Sequence, residues 1–120
     1  TILFRIRKYL NTKNILTKIE LAFLPKGSFI INIGRGGIIN ESDLLTSLDS
    51  GHITAVALDV FAQEPLPENN SLWDHPLVYV TPHIAGQSNP GSAAQTIAEN
   101  IRLIEKGETP YPIYSHSSGY

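Results

Sequence analysis

Apolar positions along this chain follow two periods, and the shorter one stands out first. Ser28-Phe29-Ile30-Ile31-Asn32-Ile33 is an apolar run rich in isoleucine and too short for a helix. A run of that kind reads as a strand covered on both faces, as in a parallel α/β sheet. Ile53 to Val60 repeats the pattern, and Leu77 to Val80 repeats it in shorter form. At the start, Ile2, Phe4 and Ile6 alternate with Arg5 and Arg7, which predicts one more short strand within residues 1–10. Arg5, Arg7 and Lys8 read as a solvated face rather than a phosphate patch.

Between these strands the spacing becomes helical. Asn11-Thr12 offers a cap, and Ile15, Leu16, Ile19, Ala22 and Phe23 follow at helical intervals until Pro25-Lys26-Gly27. Asn40 caps a second helix with Asp43 in its first turn; Leu44, Leu45 and Leu48 give its apolar side, and Ser50-Gly51 ends it. Residues 28–60 therefore predict one β-α-β unit with a right-handed crossover. Asn89-Pro90 opens a third helix whose stripe is Ala94, Ile97, Ala98, Ile101 and Ile104, ending at Lys106-Gly107. Gln63 to Asn70 reads as a surface loop, Leu72-Trp73 as a packed turn, and Glu108 to Tyr120 as an extended arm. The expected fold is α/β, a parallel sheet with a C-terminal helix and arm.

Composition narrows this little. The 120 residues suffice for one domain with a core, and 42% hydrophobic against 17% charged residues excludes a disordered chain. A net charge of −2 argues against a general nucleic-acid or membrane-surface binder. With no cysteine there is no disulfide, thiolate nucleophile or zinc–cysteine site, which suits a cytoplasmic protein. No run reaches membrane-spanning length, and no signal peptide is evident. The chain begins at Thr1 and lacks methionine, so a processed product or a piece of something longer is expected.

Polar residues collect where the predicted strands end. Gly34-Arg35-Gly36-Gly37 follows the isoleucine run, with glycines that allow a tight turn and close approach to a ligand. Asp59 ends the next strand, Glu64 lies in the loop beyond it, and His83 follows the last. Ligands of open α/β sheets bind beyond this edge. Arginine's fork matches a carboxylate, histidine exchanges protons near neutral pH, and a nearby carboxylate favours the imidazolium. The set suits reduction of a 2-oxo acid: Arg35 holds the acid and polarises the ketone while His83 protonates the oxygen. Each residue also has a plainer reading, as a turn arginine, a loop histidine, an exposed acid or a turn cap. His52, His75 and His116 lack metal-site spacing, so no metal is expected. Gly34-Arg35-Gly36 imitates a dinucleotide fingerprint, but Ile39 stands at its third glycine position, so this loop is not read as the pyrophosphate cradle.

Four motifs, in this order and spacing, resemble the D-isomer-specific 2-hydroxyacid dehydrogenase family. They are Leu24-Pro25-Lys26-Gly27-Ser28; Asn32-Ile33-Gly34-Arg35-Gly36; Leu58-Asp59-Val60-Phe61 with Glu64-Pro65; and Thr81-Pro82-His83-Ile84-Ala85. The resemblance covers about residues 11 to 107. Leu72-Trp73-Asp74-His75-Pro76 and Gly119-Tyr120 look closest to the glyoxylate/hydroxypyruvate reductase branch.

By position, the resemblance implies an NAD- or NADP-dependent oxidoreductase of small 2-oxo acids. Arg35 is then the substrate arginine, His83 the acid/base and Glu64 its paired acid. Asp59 meets the nicotinamide end of the cofactor, and Ile33, Gly34, Arg35 and His83, Ile84, Ala85, Gly86 line the same pocket. Residues 1–85 become the second half of a Rossmann-type coenzyme domain, and 86–120 return to the substrate domain; full-length relatives would be homodimers. The family's glycine-rich pyrophosphate loop is not among these residues, and Ile6-Arg7-Lys8-Tyr9 replaces its usual Leu-Pro-Leu-Thr. A truncated, rearranged or frameshifted product is expected, inactive by itself. The alternative is a non-catalytic or degenerate fragment that binds or dimerises.

Overall fold

The computed structural model describes residues 1–4, 13–86 and 88–113. Four strands, β1 (Ile2–Phe4), β2 (Ser28–Asn32), β3 (Ile53–Leu58) and β4 (Val78–Val80), form one sheet in the order β1-β2-β3-β4. All neighbours are parallel, with Ile2 opposite Ile30, Asn32 opposite Leu58, and Leu58 opposite Val80. The carboxyl ends of β2, β3 and β4 therefore lie level along one edge.

Helices α1 (Lys18–Ala22) and α2 (Glu41–Asp49) belong with this sheet. Asn40 caps α2 by accepting the Asp43 N–H at 3.1 Å, and Ser50 ends it, as its local sequence signals predict. Ile30, Leu44, Leu48, Ile53, Val56 and Leu72 form a core from which water is excluded. Burial along β2 alternates: Ser28, Ile30 and Asn32 are buried, Phe29 and Ile31 only half-buried. The strand is thus not covered equally on both faces, whereas its unbroken apolar run predicts that it should be. The core lies on the side of Ile30 and Val56.

The first helix is shorter than its periodicity predicts. Its expected cap, Asn11-Thr12, lies outside the described residues, as do residues 5–10 of the expected first strand. Leu16 instead donates its N–H to Ile38 O at 3.0 Å and accepts from Asn40 N at 2.9 Å, while Asn14 donates to Gly37 O. Backbone spent on that pairing cannot join a helix. The helix starts two residues later, at Lys18, where Thr17 and Glu20 form a reciprocal capping box.

The chain divides into two compact units, residues 1–85 and 86–120. In the second, α3 (Pro90–Glu105) is capped by Asn89 and opened by Pro90. The segment after it is not a free arm through residue 113. Asn100 accepts the Tyr111 N–H and donates to its carbonyl, both at 3.0 Å, folding the segment back on the helix. Residues 114–120 of the expected arm lie outside the described residues.

Candidate active site

The site is built on the level edge of β2, β3 and β4. Asn32, the last residue of β2, is buried, and its side chain shapes the loop that follows. It accepts the Gly34 N–H at 3.1 Å and donates to Arg35 O at 3.2 Å. Arg35 emerges exposed, with Nη1 on Gly34 O at 2.8 Å. Gly36 then enters a short 3-10 turn, Gly36–Ile38, packed against Phe61. A Cβ at Gly36 would fall 1.8 Å from the Phe61 carbonyl carbon. The smallness of Gly36 is thus used against this chain's own backbone, whereas the sequence suggested close approach to a ligand. A Cβ at Gly37 would meet nothing within 4 Å.

Beyond β3, Glu41 of α2 accepts the Ala62 N–H at 2.7 Å, and Glu64 accepts the Phe61 N–H at 2.9 Å. The second oxygen of Glu64 lies 2.7 Å from His83 Nδ1. This contact aims His83 Nε2 away from Glu64. Burial alone would raise the Glu64 carboxyl, but the Phe61 N–H, the His83 ring and the charge of Arg35 outweigh it and hold it below the usual glutamate range. The charge of Arg35 thus acts on the Glu64 carboxylate.

Asp59 is 3% exposed, just past β3. One oxygen accepts the Thr81 hydroxyl at 2.6 Å and the Ile84 N–H at 2.9 Å, and the other accepts the Ala85 N–H at 2.9 Å. Burial raises its carboxyl, yet Thr81, Ala85, Ile84 and the nearby His83 hold it below the usual aspartate range. Between those anchored residues His83 has φ +55°, a left-handed conformation uncommon outside glycine. A cavity of about 470 Å³ adjoins the pair, with apolar walls from Phe61, Leu66, Trp73 and Val80 and a polar end at Glu64 and His83.

Every sequence-predicted site residue from Ile33 to Ala85 thus falls in one unit, with Arg35, Asp59, Glu64 and His83 following its strand ends. Gly86 belongs to the second unit. Sequence reasoning did not assign roles to Asn32, Glu41 or Thr81. Only Asn32 carried a signal, as the lone amide inside an apolar strand. Among the described residues, no group of three or more His, Asp or Glu stands ready to hold a metal ion, and no helix is long and apolar enough to cross a membrane.

A parallel sheet with arginine, carboxylate and histidine past its strand ends is the arrangement at whose carboxyl edge open α/β domains receive their ligands. Residues 3–85 match the family model for the D-isomer specific 2-hydroxyacid dehydrogenase, NAD binding domain, and the chain belongs to that family. Glyoxylate/hydroxypyruvate reductase A of Photorhabdus laumondii is 45% identical over 109 residues, covering 91% of this chain and 35% of that protein. The protein of the same name from Salmonella paratyphi B is 42% identical over the same length. The chain thus spans about a third of the length of these relatives.

Solved structures agree. An NADPH-dependent glyoxylate/hydroxypyruvate reductase from Sinorhizobium meliloti, in complex with NADP and sulfate, matches at a TM-score of 0.90 and 32% identity, over 98% of this chain and 39% of that one. A D-isomer specific 2-hydroxyacid dehydrogenase from Xanthobacter autotrophicus, in complex with NADPH and MES, matches at 0.86 and 41%, over 92% of this chain and 46% of that one.

Proposed function

We propose that this chain carries the acid/base and carboxylate-binding half of an NAD(P)-dependent reductase of small 2-oxo acids such as glyoxylate or hydroxypyruvate. The observation that carries the reading is the 2.7 Å contact between Glu64 and His83 Nδ1, with Arg35 following the end of the neighbouring strand β2. Arg35 presents its fork to the substrate carboxylate and polarises the ketone. Glu64 accepts the Nδ1–H, so His83 offers its Nε2–H to the carbonyl oxygen. The reduced nicotinamide, when bound, supplies the hydride that adds to the carbonyl carbon. His83 gives up the Nε2 proton as the oxygen becomes a hydroxyl and keeps its Nδ1–H on Glu64.

The residues present fit the nicotinamide end of such a cofactor. The backbone of Ile33 and Gly34 and the segment His83–Ala85 follow parallel strand ends, where α/β sheets receive ligands. On this reading residues 1–85 are the second half of the coenzyme domain and 86–120 return to a substrate domain. On the same reading the protein is cytoplasmic, its full-length relatives are homodimers, and neither nucleic acid nor membrane is a partner.

A chimera tests the proposal: this chain replaces the segment it matches in the Photorhabdus relative. The expected result is glyoxylate- or hydroxypyruvate-dependent oxidation of NADPH, and a folded chimera without turnover would refute it. A second reading, a non-catalytic dimerisation module, draws on α3, where Ile97, Ile101 and Ile104 are each more than half exposed. It requires this inactive chimera, and a dimer of the 120-residue chain in sedimentation.

A further inference from the structure

We infer that Asp59 is the positioning residue of His83: its buried carboxylate clamps the loop from both sides of that residue and sets the direction of the imidazole. The proposal rests on the reading of His83 as acid/base, but its geometry stands apart from that reading. Three donors converge on one carboxylate from residues 81, 84 and 85, at 2.6, 2.9 and 2.9 Å. His83 lies between them and itself bonds back through its N–H to Thr81 O at 3.1 Å.

A non-glycine residue at φ +55° persists only where its surroundings over-determine it. Here those surroundings are two consecutive backbone N–H groups and a hydroxyl, all on Asp59. The clamp explains why the ring reaches Glu64, which comes from a different loop and holds only the ring. Glu64 then fixes the Nδ1 end, Asp59 fixes the backbone, and the two carboxylates together leave Nε2 with one direction.

No isosteric neutral group reproduces this. In Asp59→Asn one side-chain atom becomes an NH2. Whichever way the amide turns, it faces either Ala85 N–H or the Ile84 N–H and Thr81 hydroxyl, so at least one backbone donor loses its acceptor. Thr81→Val removes a single bond and leaves the charge in place.

The test is nitrogen-15 and amide NMR on the 120-residue chain without cofactor, with a melting curve to show that each variant is folded. In the unsubstituted chain the imidazole should show an Nδ1–H held by Glu64. In folded Asp59→Asn that signal should broaden or vanish, and amide exchange should rise at least about tenfold at whichever of Ile84 and Ala85 faces the new NH2, the loss of a bond to a charged acceptor. Thr81→Val should shift the same signals in the same direction by less, and it decides the matter if Asp59→Asn does not fold. Unchanged His83 ring signals in a folded variant would overturn the proposal. That is also the result expected if Asp59 served only to touch a cofactor. Loss of the chimera's turnover would instead bear on the dehydrogenase reading and leave this measurement intact.

Discussion

Replacing Gly36 with alanine puts the close packing of the Arg35 and Glu64 loops to a quantitative trial. The added Cβ would lie 1.8 Å from the carbonyl carbon of Phe61, 1.9 Å from its oxygen and 2.3 Å from its Cα. Carbon atoms at rest stay about 3.5 Å apart, so the two backbones would have to part by about 2 Å. No side chain can yield, because both partners are main chain. Overpacking in a core costs about 1–3 kcal/mol, and a backbone clash belongs at the upper end. For a chain of this size about 3 kcal/mol lowers the melting temperature by about 10 °C. Gly37 is the control, since its Cβ would meet nothing within 4 Å and its φ is not left-handed. Gly37→Ala should hold or raise stability by up to about 1 kcal/mol. Paired thermal melts under one buffer read the difference directly. Equal melting temperatures for the two variants would refute the packing argument.

Acid should destabilise the fold through Asp59 and Glu64, both held below their usual range. Such groups stabilise fully above their unfolded values, about 3.9 and 4.3, and lose that contribution as pH falls through the lower folded values. The melting temperature should be level down to about pH 5 and fall below about pH 4, and Glu64→Gln should flatten part of the fall; an unchanged profile in Glu64→Gln would contradict this. Thr17→Ala removes the cap of α1 and the partner of Glu20, and should cost about 1 kcal/mol in denaturant titration. No measurable loss would mean that the capping box contributes nothing.

What the sequence made legible was local. Asn40 and Asn89-Pro90 announce their helices because a cap bonds to residues two or three positions on. The parallel arrangement followed from apolar runs alternating with helical spacing. What it hid was long-range. Residues 14–16 carry helical periodicity, yet their backbone pairs with residues 37–40, a contact no local window reveals. The reason for Gly36 lies in Phe61, and the use of Asp59 lies in residues 81–85. The tie between Asn100 and Tyr111 likewise joins residues that no short motif connects. The same strand ends that suggested Arg35, Asp59, Glu64 and His83 also suggested plain turn residues. Only the 2.7 Å contact between Glu64 and His83 adds a geometric reason to prefer chemistry.

In the proposed reaction His83 of this chain moves the proton. The chimera carrying this segment should turn over a 2-oxo acid with NADPH. His83→Ala in it should lower kcat by at least about a hundredfold while the protein stays folded. Arg35→Ala should chiefly raise KM for the oxo acid. A His83→Ala chimera that keeps its parent's kcat would contradict the account.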